Sequence, residues 1–169
     1  MDDESVRVAV GLRLGCNVCV PHACVCGTQV DACSTHAFVC KRALGRIARH
    51  QALNDVVARA FASAGVAVTK QPVGLARQDG RRPDGLTLIP WQRGKPLTWD
   101  VTVTHTLADS YVSATARSGG AAAEQAAGRK TAKYDHLAHT GIACFNRSQQ
   151  TLGPLNQSSI AFFPELAAR

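Results

Sequence analysis

Residues 81–106 read RRPDGLTLIPWQRGKPLTWDVTVTHT, and this pattern predicts a β-hairpin. Residues 86–90 form a short apolar run, residues 92–96 (QRGKP) supply turn formers, and residues 97–104 alternate with period two. On the second arm Leu97, Trp99, Val101 and Val103 share one face, while Thr98, Asp100, Thr102 and Thr104 share the other. One carboxylate falls on each arm, Asp84 and Asp100. Two carboxylates brought together from neighbouring strands suit a hard divalent cation such as Mg²⁺. Such a cation takes oxygen ligands and keeps positions open for phosphate and water.

The chain has 169 residues and a net charge of +7. That length suggests one domain with a small appendage, burying roughly 70% of its unfolded surface. The basic excess is concentrated: Arg46, Arg49, Arg59, Lys70, Arg77, Arg81 and Arg82 face only Asp55 and Asp79 over the same stretch. An anionic partner follows from that balance, nucleic acid first and a membrane surface second. No apolar run is long enough for a bilayer, and the acidic start (MDDE) is not that of a signal peptide. Seven cysteines without a secretory leader point to metal ligands or free thiols inside the cell.

Cys16, Cys19, His22, Cys24, Cys26, Cys33, His36 and Cys40 crowd into 25 positions, a dense supply of the sulfur and imidazole ligands that Zn²⁺ takes in structural sites. The spacing favours Cys24, Cys26, His36 and Cys40. Gly27 turns the chain after the first pair, and His36 and Cys40 are four apart at the start of a helix. The single residue between Cys24 and Cys26 is short for such a pair, so Cys16-x-x-Cys19 stands as the alternative.

Residues 4–14 predict a short helix ended by Gly15, and residues 41–64 a long one capped by Gly65. Arg49, His50 and Asp55 lie on the long helix; Arg49 suits a phosphate, and Asp55 would add a third carboxylate beside the hairpin. Residues 66–70 predict a strand. Residues 121–137 predict a helix with Ala123, Ala126, Ala127, Lys130, Lys133, Tyr134 and Leu137 on one face and Gly141 at its end. A short strand over 142–145, a turn over 152–154 and an apolar tail over 160–168 complete the expectation.

The order of the parts is more specific than any one of them. A Cys-x-Cys-Gly…His-x3-Cys knuckle is followed by an Arg-His-x4-Asp helix, an Arg-Pro-Asp-Gly hairpin ending in Trp-Asp-Val-Thr, and a Lys-x2-Lys-Tyr helix. From residue 4 to residue 153 the chain resembles the C-terminal region of reverse-transcriptase polyproteins from non-LTR retrotransposons that carry a restriction-like endonuclease. The resemblance implies two parts: a CCHC zinc knuckle over 1–40 and a PD-(D/E)xK endonuclease over 41–169. The second would be an α/β fold, a small mixed sheet flanked by helices 41–64 and 121–138. It implies metal-dependent nicking of DNA in the nucleus, with RNA or an RNA–DNA hybrid as further partners. Zinc would sit on Cys24, Cys26, His36 and Cys40, and Mg²⁺ or Mn²⁺ on Asp84 and Asp100. Lys130 or Lys133 would supply the catalytic charge, with Asp55 as an added carboxylate. Arg49, His50, Arg81, Arg82 and Tyr134 are the candidate nucleic-acid contacts. The sequence departs from the family pattern at Thr102, where a lysine belongs, and at Gln71, His105 and Gln150, where acids belong. These departures make a catalytically decayed, zinc-containing nucleic-acid-binding module the alternative.

Overall fold

The computed structural model describes residues 2–168 except 44, 77–79, 107, 139–142 and 151–154, and for 134–138 and 143–150 it describes the backbone alone. Helix α1 (Asp3–Leu14) starts where the Asp2 carboxylate accepts the Ser5 N–H at 2.7 Å. It ends at Gly15, whose φ of 69° is left-handed, as its C-cap position requires. A two-stranded ribbon follows, β1 (His22–Ala23) antiparallel to β2 (Gln29–Val30), and then the single-turn helix α2 (His36–Val39).

Helix α3 (Gly45–Ser63) begins four residues later than the periodicity predicts. Residues 41–43 form a turn instead: Ala43 N–H donates to Cys40 O, and the Arg42 guanidinium donates to Val25 O at 3.0 Å. That bond ties the segment back to the β1–β2 ribbon and keeps it out of the helix.

The main sheet runs in the order β3 (Val68–Lys70), β4 (Gly85–Thr87), β5 (Leu97–Thr104), β6 (Ala143–Gln150). The first two pairings are antiparallel, and β6 lies parallel to β5, from Leu97 opposite Ala143 to Thr104 opposite Gln150. The protein is thus mixed α/β, with helices on a mixed sheet. The predicted hairpin is present, but its first arm is shorter than the apolar run suggests. Thr87 Oγ1 accepts the Leu97 N–H and donates to Ile89 O, both at 2.9 Å, and beyond it Leu88 and Ile89 are exposed. Positive φ at Arg93 (51°) and Gly94 (75°) closes the turn, the pairing of signs that matches strand twist in a tight hairpin.

On one face of the sheet, Leu97, Trp99 and Val101 pack against Val57 and Phe61 of α3, with Val66 and Trp91. Phe162 and Leu166 complete that core. They belong to helix α6 (Gln157–Ala167), where the sequence suggested only an apolar tail. Phe61 stacks on Trp99 with ring centroids 4.9 Å apart, and Trp91 and Phe162 adjoin it at 5.5 and 5.6 Å. The opposite face receives α5 (Ala121–Ala138), whose buried Ala122, Ala123, Ala126 and Ala127 let the helix sit close to β5 and β6. Along the chain the short helix α4 (Val112–Thr115) comes between β5 and α5. The expected stop at Gly141 and the turn at 152–154 fall outside the described residues.

Gly85 is where β4 meets the indole of Trp99. A Cβ there would lie 2.0 Å from the ring, so only glycine permits the contact. Gly85→Ala is expected to destabilise the protein by about 1–3 kcal/mol through overpacking. Urea melts followed by tryptophan fluorescence check this; an unshifted midpoint would mean that the indole relocates without cost.

Candidate functional site

β4 begins at Gly85, opposite Trp99, so β5 continues past the start of β4 with Val101 beyond the ladder. Asp84 meets it there. Its Oδ2 accepts the Val101 N–H at 2.7 Å, while its own amide donates to Trp99 O at 2.9 Å. Asn54 of α3 fixes the same corner, accepting the Trp99 Nε1–H at 2.8 Å and donating to Asp84 O at 3.5 Å. The Asp84 side chain therefore lies against Asp100, which is 4% exposed on β5, and the two carboxyl groups share a hydrogen bond. From α5, Lys130 Nζ reaches Asp100 Oδ2 at 2.5 Å; from α3, His50 Nε2 reaches Asp84 Oδ2 at 3.0 Å.

Burial pushes the Asp100 carboxyl up and the hydrogen bond with Asp84 pushes it further. The Lys130 ammonium offsets only part of this, leaving Asp100 at about 6. Burial alone would raise Asp84 too. Hydrogen bonds from His50, Asp100 and the Val101 amide outweigh it and hold Asp84 below the usual carboxylate range. His50 is raised by its bond to Asp84, against partial burial. Two carboxyl groups set against each other, one of them buried, form an oxygen donor set that would suit a divalent cation.

The other predicted site residues are placed as follows. Asp55 lies one residue round α3 from Asn54 and accepts from Lys70 Nζ at 2.7 Å, with both side chains 53% exposed. Lys130 is the lysine at Asp100; Lys133, one turn on, is half-buried. Arg82 donates to Gln71 Oε1 at 2.9 Å, and the Gln71 amide donates to Asp84 O, so Gln71 borders the site. Arg81 is exposed. The side chains of Tyr134 and Gln150 lie outside the described residues. Thr102 faces a cleft with its Oγ1 buried and, among the described residues, without a partner.

Arg49 crosses the ring of Phe38 at 5.0 Å, and His105 stacks on that ring at 5.0 Å. Phe38 thus docks the cysteine-rich segment on the end of β5. Sequence reading missed this contact, because nothing in the spacing relates residue 38 to residue 105.

In the cysteine-rich segment the ligand atoms of Cys24, Cys26, His36 and Cys40 all lie within 4.8 Å of one another. Cys24 Sγ and Cys40 Sγ are 3.7 Å apart, and Cys26 Sγ is 3.1 Å from His36 Nε2. A tetrahedral zinc with sulfurs at about 2.3 Å separates them by about 3.8 Å, so the four fit such an ion. Hydrogen bonds from Thr28 lead in lowering the Cys26 thiol to about 6, which favours the thiolate that binds metal. The alternative pair is engaged elsewhere or exposed: Cys19 donates to Asp31 O, and Cys16 faces solvent.

Two outcomes follow. The protein should bind one metal ion such as Zn²⁺ per chain, lost in Cys40→Ser and kept in Cys16→Ser. Metal analysis of the purified variants checks this, and full retention in Cys40→Ser would move the site. The second concerns pH. Unfolded Asp100 titrates near 4, so between about pH 4 and 6 the folded chain keeps a proton that the unfolded chain has lost. Stability without divalent ions therefore falls as pH rises through that window. His50, raised, adds a loss of the same sign above the ordinary histidine range, whereas the lowered Asp84 matters only in stronger acid. The lowered His105 and Cys26 act with the opposite sign, so the Asp100 share is read as a difference: the urea midpoint of wild type minus that of Asp100→Asn should be smaller at about pH 7.5 than at about pH 5. Mg²⁺ should raise the midpoint only at the higher pH. A wild-type-minus-variant difference that does not change with pH would place the effect elsewhere.

No family model matches the chain, and no curated protein matches it either, so what the site does has to be read from its own geometry.

Proposed function

We propose that the protein is a metal-dependent DNA endonuclease of the PD-(D/E)xK type, with a restriction-endonuclease-like fold and a zinc knuckle, derived from a retrotransposon polyprotein. One observation carries the reading: Asp84, just before one strand, and Asp100, within the next, meet, and a lysine from the facing helix reaches Asp100. A Mg²⁺ or Mn²⁺ ion on the two carboxylates would supply Lewis acidity toward a phosphate oxygen and an acidified water.

The chain's own residues supply the rest. The Val101 amide and His50 hold Asp84 Oδ2 in place, and Asn54 anchors the backbone behind it. Lys130, released from Asp100 by a competing cation, is placed to offset charge growing on the phosphoryl oxygens. It takes over the task usually given to a lysine at the position of Thr102. The surrounding cations suit a DNA backbone, with RNA or an RNA–DNA hybrid as further substrates, and such an activity would be exercised in the nucleus. The Cys24–Cys26–His36–Cys40 cluster suits structural zinc.

The neutral Thr102 supports a second reading, a nucleic-acid-binding module that keeps the zinc but has lost cleavage. Supercoiled plasmid with Mg²⁺ or Mn²⁺ separates the two. Wild type should nick it, and Asp84→Ala, Asp100→Ala and Lys130→Ala should each lose about a hundredfold or more. A folded, zinc-loaded wild type that binds plasmid without nicking it establishes the second reading.

A further inference from the structure

Beside the carboxylate pair runs a cleft of about 520 Å³. Lys41, Arg42, Arg46, Arg49, His50 and Lys130 contribute to its walls, and none of the described lining residues is acidic. Its floor is β5, through Val101, Thr102 and Val103. Its lining includes Lys130, which reaches Asp100, and the turn that follows Cys40. Lys41, Arg42 and Arg46 are exposed, and their charges line the side of the cleft away from the sheet.

The cysteine–histidine cluster positions that side. Lys41 and Arg42 directly follow Cys40, which is 4% exposed. Arg42 donates to the carbonyl of Val25, the residue between Cys24 and Cys26. Phe38, between His36 and Cys40, packs under Arg49 and on His105. A metal ion joining the four ligands would lock the ribbon, α2 and the turn 41–43 into one piece. Without it the cations lose the frame that aims them across the cleft.

From this geometry we infer that the cleft is the track for one phosphodiester strand leading to the Asp84–Asp100 pair, and that the bound metal of the cluster acts on strand binding by setting the cleft's outer wall. This rests on the nuclease reading for what lies at the track's end. The charge and the volume suit one backbone rather than a whole duplex.

The test measures binding of a fluorescent mixed-sequence single-stranded 20-mer and its duplex by anisotropy, in zinc-loaded protein without added Mg²⁺, across a salt series. Lys41→Ala/Arg46→Ala is expected to weaken single-strand binding about tenfold or more and to lower the log–log salt slope by roughly 1.4, about 0.7 per lost phosphate contact. Arg59→Ala, on the outer side of α3, should leave both unchanged. Zinc removal should reproduce the loss, Zn²⁺ should restore it, and the double variant should lose little more when stripped. If the stripped chain no longer melts cooperatively, Phe38→Leu takes its place, since it keeps all four ligands and should weaken binding with zinc retained. A wild-type salt slope in the double variant overturns the track. Full affinity in stripped, folded protein, or in zinc-loaded Phe38→Leu where that variant is used, overturns the metal's part. Duplex binding equal to single-strand binding, both lost in the double variant, would make the occupant one strand of a duplex and overturn the single-strand preference. Binding that behaves as expected, with no cleavage when Mg²⁺ is added, would leave the track standing and remove the nuclease.

Discussion

Trp99 is the constraint on which the rest depends. Its indole lies against Gly85 with no room for a side chain, stacks on Phe61, and donates its N–H to Asn54. The first contact sets the register of β4 on β5, and the other two hold α3 against the sheet. That register brings Asp84 beside Asp100, where its carboxylate accepts the Val101 N–H. A one-residue slip would turn the Asp84 carboxylate away and put the indole on the wrong face. The packing of the core and the placement of the carboxylate are one arrangement.

The carboxylate pair carries an electrostatic strain that the fold does not fully relieve. Asp100 is buried beside another acid, and Lys130 compensates only part of that burial. His50 and a backbone amide compensate Asp84 more completely. The two acids therefore differ: one is ready to ionise at any ordinary pH, and the other keeps its proton until a cation or a rise in pH removes it. Apolar groups in the same positions would pack with less conflict. A conflict of this kind is common at functional sites, and the proposed nuclease would put it to use.

The cysteine-rich segment and the sheet meet through the stack of Arg49, Phe38 and His105. His105 is the residue at which the chain departs from the acid expected after β5. Here its ring gives Phe38 a flat, apolar surface. Burial, then the charge of Arg49, lower its pKa, and the neutral form suits that contact. An acid in its place would attract Arg49 but could not stack.

Much of the fold was legible locally. Period-two alternation marked β5, the glycine after Leu14 marked the end of α1, and alanine spacing marked the face that α5 buries. Cysteine and histidine spacing favoured, ahead of Cys16-x-x-Cys19, the four side chains that the structure brings together, since groups so few residues apart depend mainly on local turns. Other features depend on contacts between distant residues and leave no local pattern. The parallel addition of β6, the burial of α6 through Phe162 and Leu166, and the choice of Lys130 to meet Asp100 are of this kind. So is the approach of His50 to Asp84, which needs both the helix rotation set by Asn54 and the register set by Gly85. The sequence by itself determined which side chains were on hand and which backbone segments would be helix or strand, because periodicity and turn chemistry act over a few residues. Only the tertiary structure decided which acids, cations and rings came within bonding distance, because that depends on how the packed faces of remote elements register against one another.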